Sequence, residues 1–346
     1  MNRRPIGYYI HHHGAGHRAR AATIAAASEW PVTLMGTGIG AAGVDLPDDR
    51  LEIEFDGADG TDCRPLAFHY APIGHSGVRE RTARIAGWIA EMRPALMVVD
   101  VSVEVALLAR LASVPTVYVR LNGDRTDPAH LEAFRSASAL LAPYHAQLEL
   151  PSTPEWVRRK TRYLPGITAP ARSRTSARRR VLVVFGRGGS PGAGDVLARA
   201  AAACPDWEWR AIGPVTAPSL PISNLTLSGW TDRPECEIAE ASIVVGAAGD
   251  GLVSAVLAAD KPFICIPQER PFGEQVATAR GLAAAGAARV LSLWPEAARW
   301  PGLLAEALTL KAGARRALHV ENGPLIAASW LAELAAAFRA QRECTA

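Results

Sequence analysis

Along this chain, short apolar runs bounded by Gly, Pro or Asp alternate with longer stretches rich in Ala, Leu and Arg. Short apolar runs with turn residues at both ends predict buried strands, and the longer stretches place apolar residues at helical spacing. In the first half the strand candidates are "PIGYYIHH", "PVTLMG", "LEIEF", "ALMVVD", "PTVYVR" and "ALLAP", separated by helical stretches such as "VRERTARIAGWIAEM". The second half restarts the same alternation with "RRVLVVFGRGG", "WEWRAIG", "NLTLSGW", "SIVVGAAG", "PFICIPQ" and "ARVLSL". Strand and helix in alternation predict an α/β fold on parallel sheets. A last apolar stretch, "GPLIAASWLAELAAAFRAQ", predicts a terminal helix that begins at Gly323-Pro324.

Between the halves lies "LPGITAPARSRTSARRR", with prolines, small polar residues and arginines but no periodicity. It reads as a linker, which gives a first domain over 1–168, a linker over 169–179 and a second domain over 180–346. The 346 residues suit that division, since a domain takes roughly 100–200. The composition, 49% hydrophobic against 21% charged, excludes a disordered chain. The net charge of +3 is concentrated in the run from Arg172 to Arg180, so no nucleic-acid partner is expected. Arg178 to Arg180 read as a solvated linker, with a grip on an anionic lipid surface as the minor alternative. The five cysteines are scattered without a C-x-x-C pair, so neither a disulfide framework nor a zinc ribbon is suggested. No apolar stretch reaches the roughly 18 residues of a membrane span, so a cytoplasmic protein is expected, with a peripheral membrane contact left open. Trp207, Trp209, Trp294, Trp300 and Trp330 lie in apolar contexts and are expected in the core.

The candidate chemistry begins at "YYIHHHGAGHRARAATIAAA", where a first strand runs into a helix through a glycine turn. Gly14 and Gly16 permit close backbone approach, and the free N–H groups of a helix start can receive an anion or a substrate. The plain alternative is a tight turn with no ligand. His11 to His13 alternate sheet faces in this reading and have no carboxylate or cysteine beside them in sequence, so no metal is expected. His17, at the mouth of the helix, is the candidate general base. Asp100, ending "ALMVVD", stands on the strand edge where open α/β sheets place their sites and is the candidate partner that orients His17. Its alternative role is the cap of the helix that follows. In the second half "VVFGRGGSPGAGD" and "VVGAAGDGLVSAVLAADKP" repeat strand, glycine turn and helix, and both can cradle phosphate.

The segment "SIVVGAAGDGLVSAVLAADKPFICIPQERPFGEQVATARGLAAAGAARVL" resembles the donor-binding half of two-domain GT-B glycosyltransferases. It is most similar to the peptidoglycan N-acetylglucosaminyltransferase and the antibiotic and plant UDP-glycosyltransferases. The matching residues are Gly249 and Gly251, Asp260-Lys261-Pro262, Pro267-Gln268 and Glu274-Gln275, while "GAGH" and "FGRGGS" resemble the family's acceptor-side turn and interdomain phosphate loop. The resemblance implies a GT-B fold, with two Rossmann-like domains facing across a cleft and a C-terminal helix. It also implies diphosphate neighbours at Arg187, Gly188, Gly189, Ser190, Gly249, Asp250 and Gly251. Sugar contacts would fall on Glu274 and Gln275, a base neighbour on Trp230, and acceptor-side contacts on His13, Gly14 and Gly16. His17 and Asp100 correspond to the base and its helper in the inverting small-molecule enzymes.

The implied activity is inverting transfer of a sugar from a UDP- or dTDP-sugar to a hydroxyl of a small-molecule or lipid-linked acceptor. The nucleotide sugar is a co-substrate, and no further cofactor is expected. His75, Arg79 and Asp124 lie in acceptor-domain loops. Three departures from the family stand out. Its diphosphate-binding His falls on Ala247, its ribose-binding acid falls on Ala255, and Asp250 brings a negative charge to a phosphate turn unless it points away or pairs, with Arg187 as the candidate. These departures keep two alternatives open, a sugar-nucleotide epimerase of the same fold and a non-catalytic sugar-nucleotide-binding protein.

Overall fold

The structure, a computed structural model, describes residues 3–12, 15–51, 55, 57–60, 64–169 and 179–344, with side chains as far as Phe338. His13, Gly14, Cys63, the middle of "LEIEF" (52–54) and residues 170–178 of the expected linker lie outside the described residues.

The first sheet holds β1 (Ile6–Tyr9), β2 (Val32–Gly36), β3 (Val44–Asp45), β4 (Leu96–Asp100), β5 (Thr116–Val119), β6 (Ala139–Ala142) and β7 (Thr161–Tyr163), in the order β3-β2-β1-β4-β5-β6-β7. The second holds β8 (Arg180–Val184), β9 (Glu208–Ile212), β10 (Leu225–Leu227), β11 (Ile243–Gly246), β12 (Phe263–Cys265) and β13 (Arg289–Val290), in the order β10-β9-β8-β11-β12-β13. Every pairing is parallel. Both sheets therefore have the doubly wound order that reverses beside its first strand, between β1 and β4 in one and between β8 and β11 in the other. Such a reversal opens a crevice at the strands' carboxyl ends. The central strands are buried along their whole length, β4 at all five positions, which is why they read as unbroken apolar runs.

Helices cover both faces of the first sheet. Side chains of α2 (Ser76–Met92), α3 (Val103–Leu111) and α4 (Pro128–Ser136) close one core cluster. The opposite cluster joins Ile6, Tyr8 and Ile24 of the first half to Ala327, Ala328, Leu331 and Ala335 of α12 (Gly323–Cys344). The terminal helix starts where the sequence places it, but it crosses back to pack on the first sheet, against the helix α1 (Gly16–Ala26). The sequence groups this helix with the second domain, while its buried side chains lie in a core cluster of the first sheet. The stripe of small Ala residues allows this close approach, which no local sequence pattern assigns to one sheet or the other.

The tryptophan expectation holds. Trp209 and Trp300 are fully buried edge to face at 5.1 Å, and Trp207, Trp294 and Trp330 pack against core clusters. Arg180 departs from the solvated-linker reading. It lies inside β8 and pairs with Glu240 at 2.9 Å and Glu208 at 3.2 Å. Among the described residues no helix is long and apolar enough to cross a membrane.

Candidate active site

β1 ends at Tyr9, and the chain enters α1 at Gly16, so His17 occupies the first turn of the helix. Asp100 closes β4 next door and is fully buried. Val101 follows in a left-handed conformation (φ 62°), a strained state for a β-branched residue. It turns the chain so that Ser102, accepting from the Val105 N–H at 3.2 Å, caps α3. The capping role considered for Asp100 thus belongs to Ser102, and the Asp100 carboxylate faces His17 instead. His17 Nδ1 lies 2.8 Å from Asp100 Oδ1.

A third group, not anticipated from sequence, completes this wall. Arg20 stands three residues after His17 on the same face of α1, and it is buried. It donates to Asp100 through Nε at 3.1 Å and through Nη2 at 2.9 and 3.0 Å to the two oxygens. Its Nη1 donates to Asp250, in the second domain. The guanidinium and His17 hold the Asp100 carboxyl well below the usual carboxylate range despite the cost of burial. Tyr8 OH, 3.4 Å from Asp100 Oδ2, is held protonated by burial. The His17–Arg20 spacing of i, i+3, with an arginine on a helix face turned to the sheet, is the one sequence signal that could have found Arg20.

The opposite wall is built at the second sheet's reversal. The turn after β8 carries Arg187, Gly188 and Gly189, and the turn after β11 leads through Gly249 into α8 (Asp250–Ala258). A Cβ on Gly189 would displace the end of the Gln268 side chain, which packs against this turn. Arg187 lies over the Trp230 ring, 3.9 Å from its centroid. The pairing considered between Asp250 and Arg187 is therefore replaced by Asp250 with Arg20 and Arg187 with Trp230. Gln275 accepts from the Gln268 N–H at 2.8 Å, which fixes the loop ahead of α9 (Glu274–Ala284). Glu274 pairs with Arg125 of the first domain at 3.3 Å, and the Phe272 carbonyl accepts from the Asp124 N–H at 2.8 Å.

These two walls enclose a cavity of about 420 Å³. His17, Gly16, Arg187, Gly188, Gly189, Trp230, Gly249, Asp250, Gly251, Glu274 and Gln275 all line it. Ser190 is exposed and outside the lining, and Asp100 stands behind His17. Ala247 lines the cavity, whereas Ala255 is buried in the core. Arg125, His130 and Phe272, none predicted, add to the wall. A second cavity of about 600 Å³ lies in the first domain and shares His11, His69 and Val101 with the first. It is lined largely by Tyr9, Leu51, Phe68, Val105, Leu108 and other apolar residues. Of the loop residues singled out beforehand, His75 caps α2 and bonds the Arg50 carbonyl, and neither it nor Arg79 nor Asp124 lines either of these two cavities.

His11 and His12 lie beyond the strand and stack with centroids 4.6 Å apart, so they do not alternate faces as expected. The fold also brings Asp48 and Asp49 to His12, so the premise that carboxylates are remote from the histidines is corrected. Both are already engaged by arginine, Asp48 by Arg50 and Asp49 by Arg81 at 2.8 Å.

Two doubly wound domains whose reversal points face one another across a cleft, with a terminal helix crossing back, define the GT-B fold. Residues 219–309 match the family model described as the glycosyltransferase family 28 C-terminal domain. Among solved structures the chain is similar to the spinosyn forosaminyltransferase SpnP (15% identity, TM-score 0.70, covering 96% of this chain and 100% of that one). It is also similar to the glycotransferase of kitacinnamycin (16%, 0.68, 96% and 100%) and to MurG of Acinetobacter baumannii (15%, 0.62, 96% and 99%). Comparison with curated protein sequences gives no match.

Proposed function

We propose that this protein is an inverting glycosyltransferase that moves a sugar from a nucleoside diphosphate sugar to an acceptor hydroxyl, with His17 as general base. The observation that carries the reading is the His17–Asp100 pair, 2.8 Å apart, facing two glycine turns and a helix N-terminus across one cavity. The similarity to named glycosyltransferase structures supports it.

In this reading Nδ1–H of His17 donates to the ionised Asp100, which leaves Nε2 free to take the acceptor's proton. The acceptor oxygen forms a bond to the anomeric carbon from the face opposite the leaving group. The bond from that carbon to the phosphate oxygen breaks, and the electron pair leaves with the nucleoside diphosphate. Its growing charge meets the backbone N–H groups of residues 188–189, the start of α8 and the Arg187 guanidinium. Glu274 and Gln275 face the sugar, and Trp230 faces the base. The apolar cavity of the first domain receives the body of the acceptor, which predicts an acceptor with an apolar ring system or chain next to its reactive hydroxyl.

The test is a thermal-shift panel of nucleoside diphosphates and sugar nucleotides, followed by transfer assays with the donor that binds. Binding to the native state alone raises the melting temperature by mass action. His17→Ala should then lower the transfer rate by about 10²–10⁴-fold. Donor turnover without any acceptor would instead identify an epimerase, and an unchanged His17→Ala rate would remove His17 from the mechanism.

A further inference from the structure

One buried guanidinium ties the base to the opposite domain. Arg20 contacts both oxygens of Asp100 and, across the cleft, the carboxylate of Asp250, while its Nη2 lies 3.0 Å from His17 Nδ1. Within the first domain alone, Arg20 and Asp100 cancel one another. A proton taken up by His17 then leaves that buried cluster with an uncompensated positive charge, which is costly away from water. Asp250 supplies the missing negative charge, and it does so only when α8 sits against α1. The two helix starts meet at glycines, with the position of a Cβ on Gly251 only 3.6 Å from Gly16 Cα, so the two domains are in contact here.

We propose that Asp250 is a positioning residue for the base, completing the neutralisation of Arg20 so that Asp100 can support a positive His17 only while the two domains are closed. The other groups facing this cluster do not replace it. Tyr8, on β1, stays protonated because burial raises its hydroxyl. His11, from the turn after β1, has its ring 5.8 Å from that of His17 and is held neutral by burial and by its neighbouring histidines. Glu274, the first residue of α9, is engaged by Arg125. The inference rests on the transferase reading for its catalytic meaning, but its electrostatic content stands apart from that reading.

The experiment follows the His17 imidazole by NMR in donor-free protein, its resonance assigned by its loss in His17→Gln. In Asp250→Asn the His17 titration midpoint should fall by about one pH unit, the size expected when an opposite charge is removed nearby. Asp250→Glu should restore it. Where transfer is measurable, the acidic limb of kcat/KM in Asp250→Asn should move the same way. If the Asn variant does not fold, Asp250→Ser gives the same readout. A midpoint unmoved in a folded Asn or Ser variant overturns the proposal. A wild-type protein with no transfer activity refutes the enzymatic reading and leaves the NMR result to decide this one.

Discussion

Replacing Asp100 by Asn keeps the shape of the side chain and removes its charge at the most interconnected point of the site. The carboxylate accepts from His17, from two Arg20 nitrogens and from Tyr8, and it is wholly buried. Removing one partner of a buried ion pair costs about 3–5 kcal/mol. Asp250 remains as the second carboxylate on Arg20, and the Asn oxygen still accepts one N–H, so about 2–3 kcal/mol is expected here. In a domain of this size that lowers Tm by roughly 5–10 °C. The rate should fall further than the stability suggests, because an amide NH₂ turned to His17 favours the tautomer with its proton on the wrong nitrogen. The corresponding change in a Ser-His-Asp triad costs about 10⁴, and a loss of about 10²–10⁴ is expected here. The assay is a single-turnover transfer measurement beside a melting curve, repeated in the His17→Ala background. Because Asp100 acts through His17, the double variant should be no slower than His17→Ala alone. An Asn variant with more than about a tenth of the wild-type rate, or additive losses in the double variant, would refute the argument.

Two further predictions concern the domain contact and pH. Gly123 has φ 107°, and a Cβ there would lie 2.6 Å from the Phe272 carbonyl oxygen. Gly123→Ala should therefore loosen the loop holding Glu274 and weaken nucleoside diphosphate binding by about tenfold, roughly one lost backbone hydrogen bond plus strain; calorimetry showing wild-type affinity would contradict it. His130 is buried and lowered to about 4 by that burial, against the pull of Asp127. The unfolded chain thus takes up a proton near pH 6.5 that the fold refuses until about pH 4, so stability should decline as pH falls through this window, by at most about 3 kcal/mol from His130. His11, lowered to about 3, acts in the same direction. Asp250, raised by burial to about 6, acts in the opposite one, its folded form holding its proton more tightly than the unfolded chain does. Urea unfolding between pH 7 and 4.5 should show a shallower decline in His130→Gln, and identical slopes would remove His130 from the account.

The central strands were legible because both faces of a parallel sheet are buried, which leaves unbroken apolar runs such as the one ending at Asp100. That legibility carried over to the site, since strand ends beside a topological reversal are where side chains converge. The edge strands of the first sheet were harder. β3 has only two residues and β7 three, too short for any periodicity to register. The pairing of side chains that joins the domains was not readable, although Asp250 and Glu274 themselves were named. Arg20 sits in "HRARAATIAAA", where Arg18 two residues earlier would look the same, and only the tertiary fold selects Arg20 for burial. Arg125 and Phe272 likewise gain their meaning from each other, the guanidinium lying 5.0 Å from the ring centroid across the cleft.

Asp250 shows how the two kinds of information combine. Judged within its own domain, a carboxylate in the first turn of α8 opposes phosphate binding at that helix start, and the sequence offered Arg187 as its remedy. In the fold Arg187 stays over Trp230, beside the proposed diphosphate site, and Arg20 of the other domain takes up the carboxylate. The positive charge that a phosphate needs is thereby left in place, while the negative charge that would repel it is tied to the base. A single substitution at Asp250 should accordingly change two measurable properties in opposite senses. Asp250→Asn removes a repulsion and should leave nucleoside diphosphate affinity unchanged or tighter, while it weakens the base and slows transfer. Loss of affinity together with rate would mean that Asp250 serves the donor turn itself, and the division of labour between the two arginines would fall.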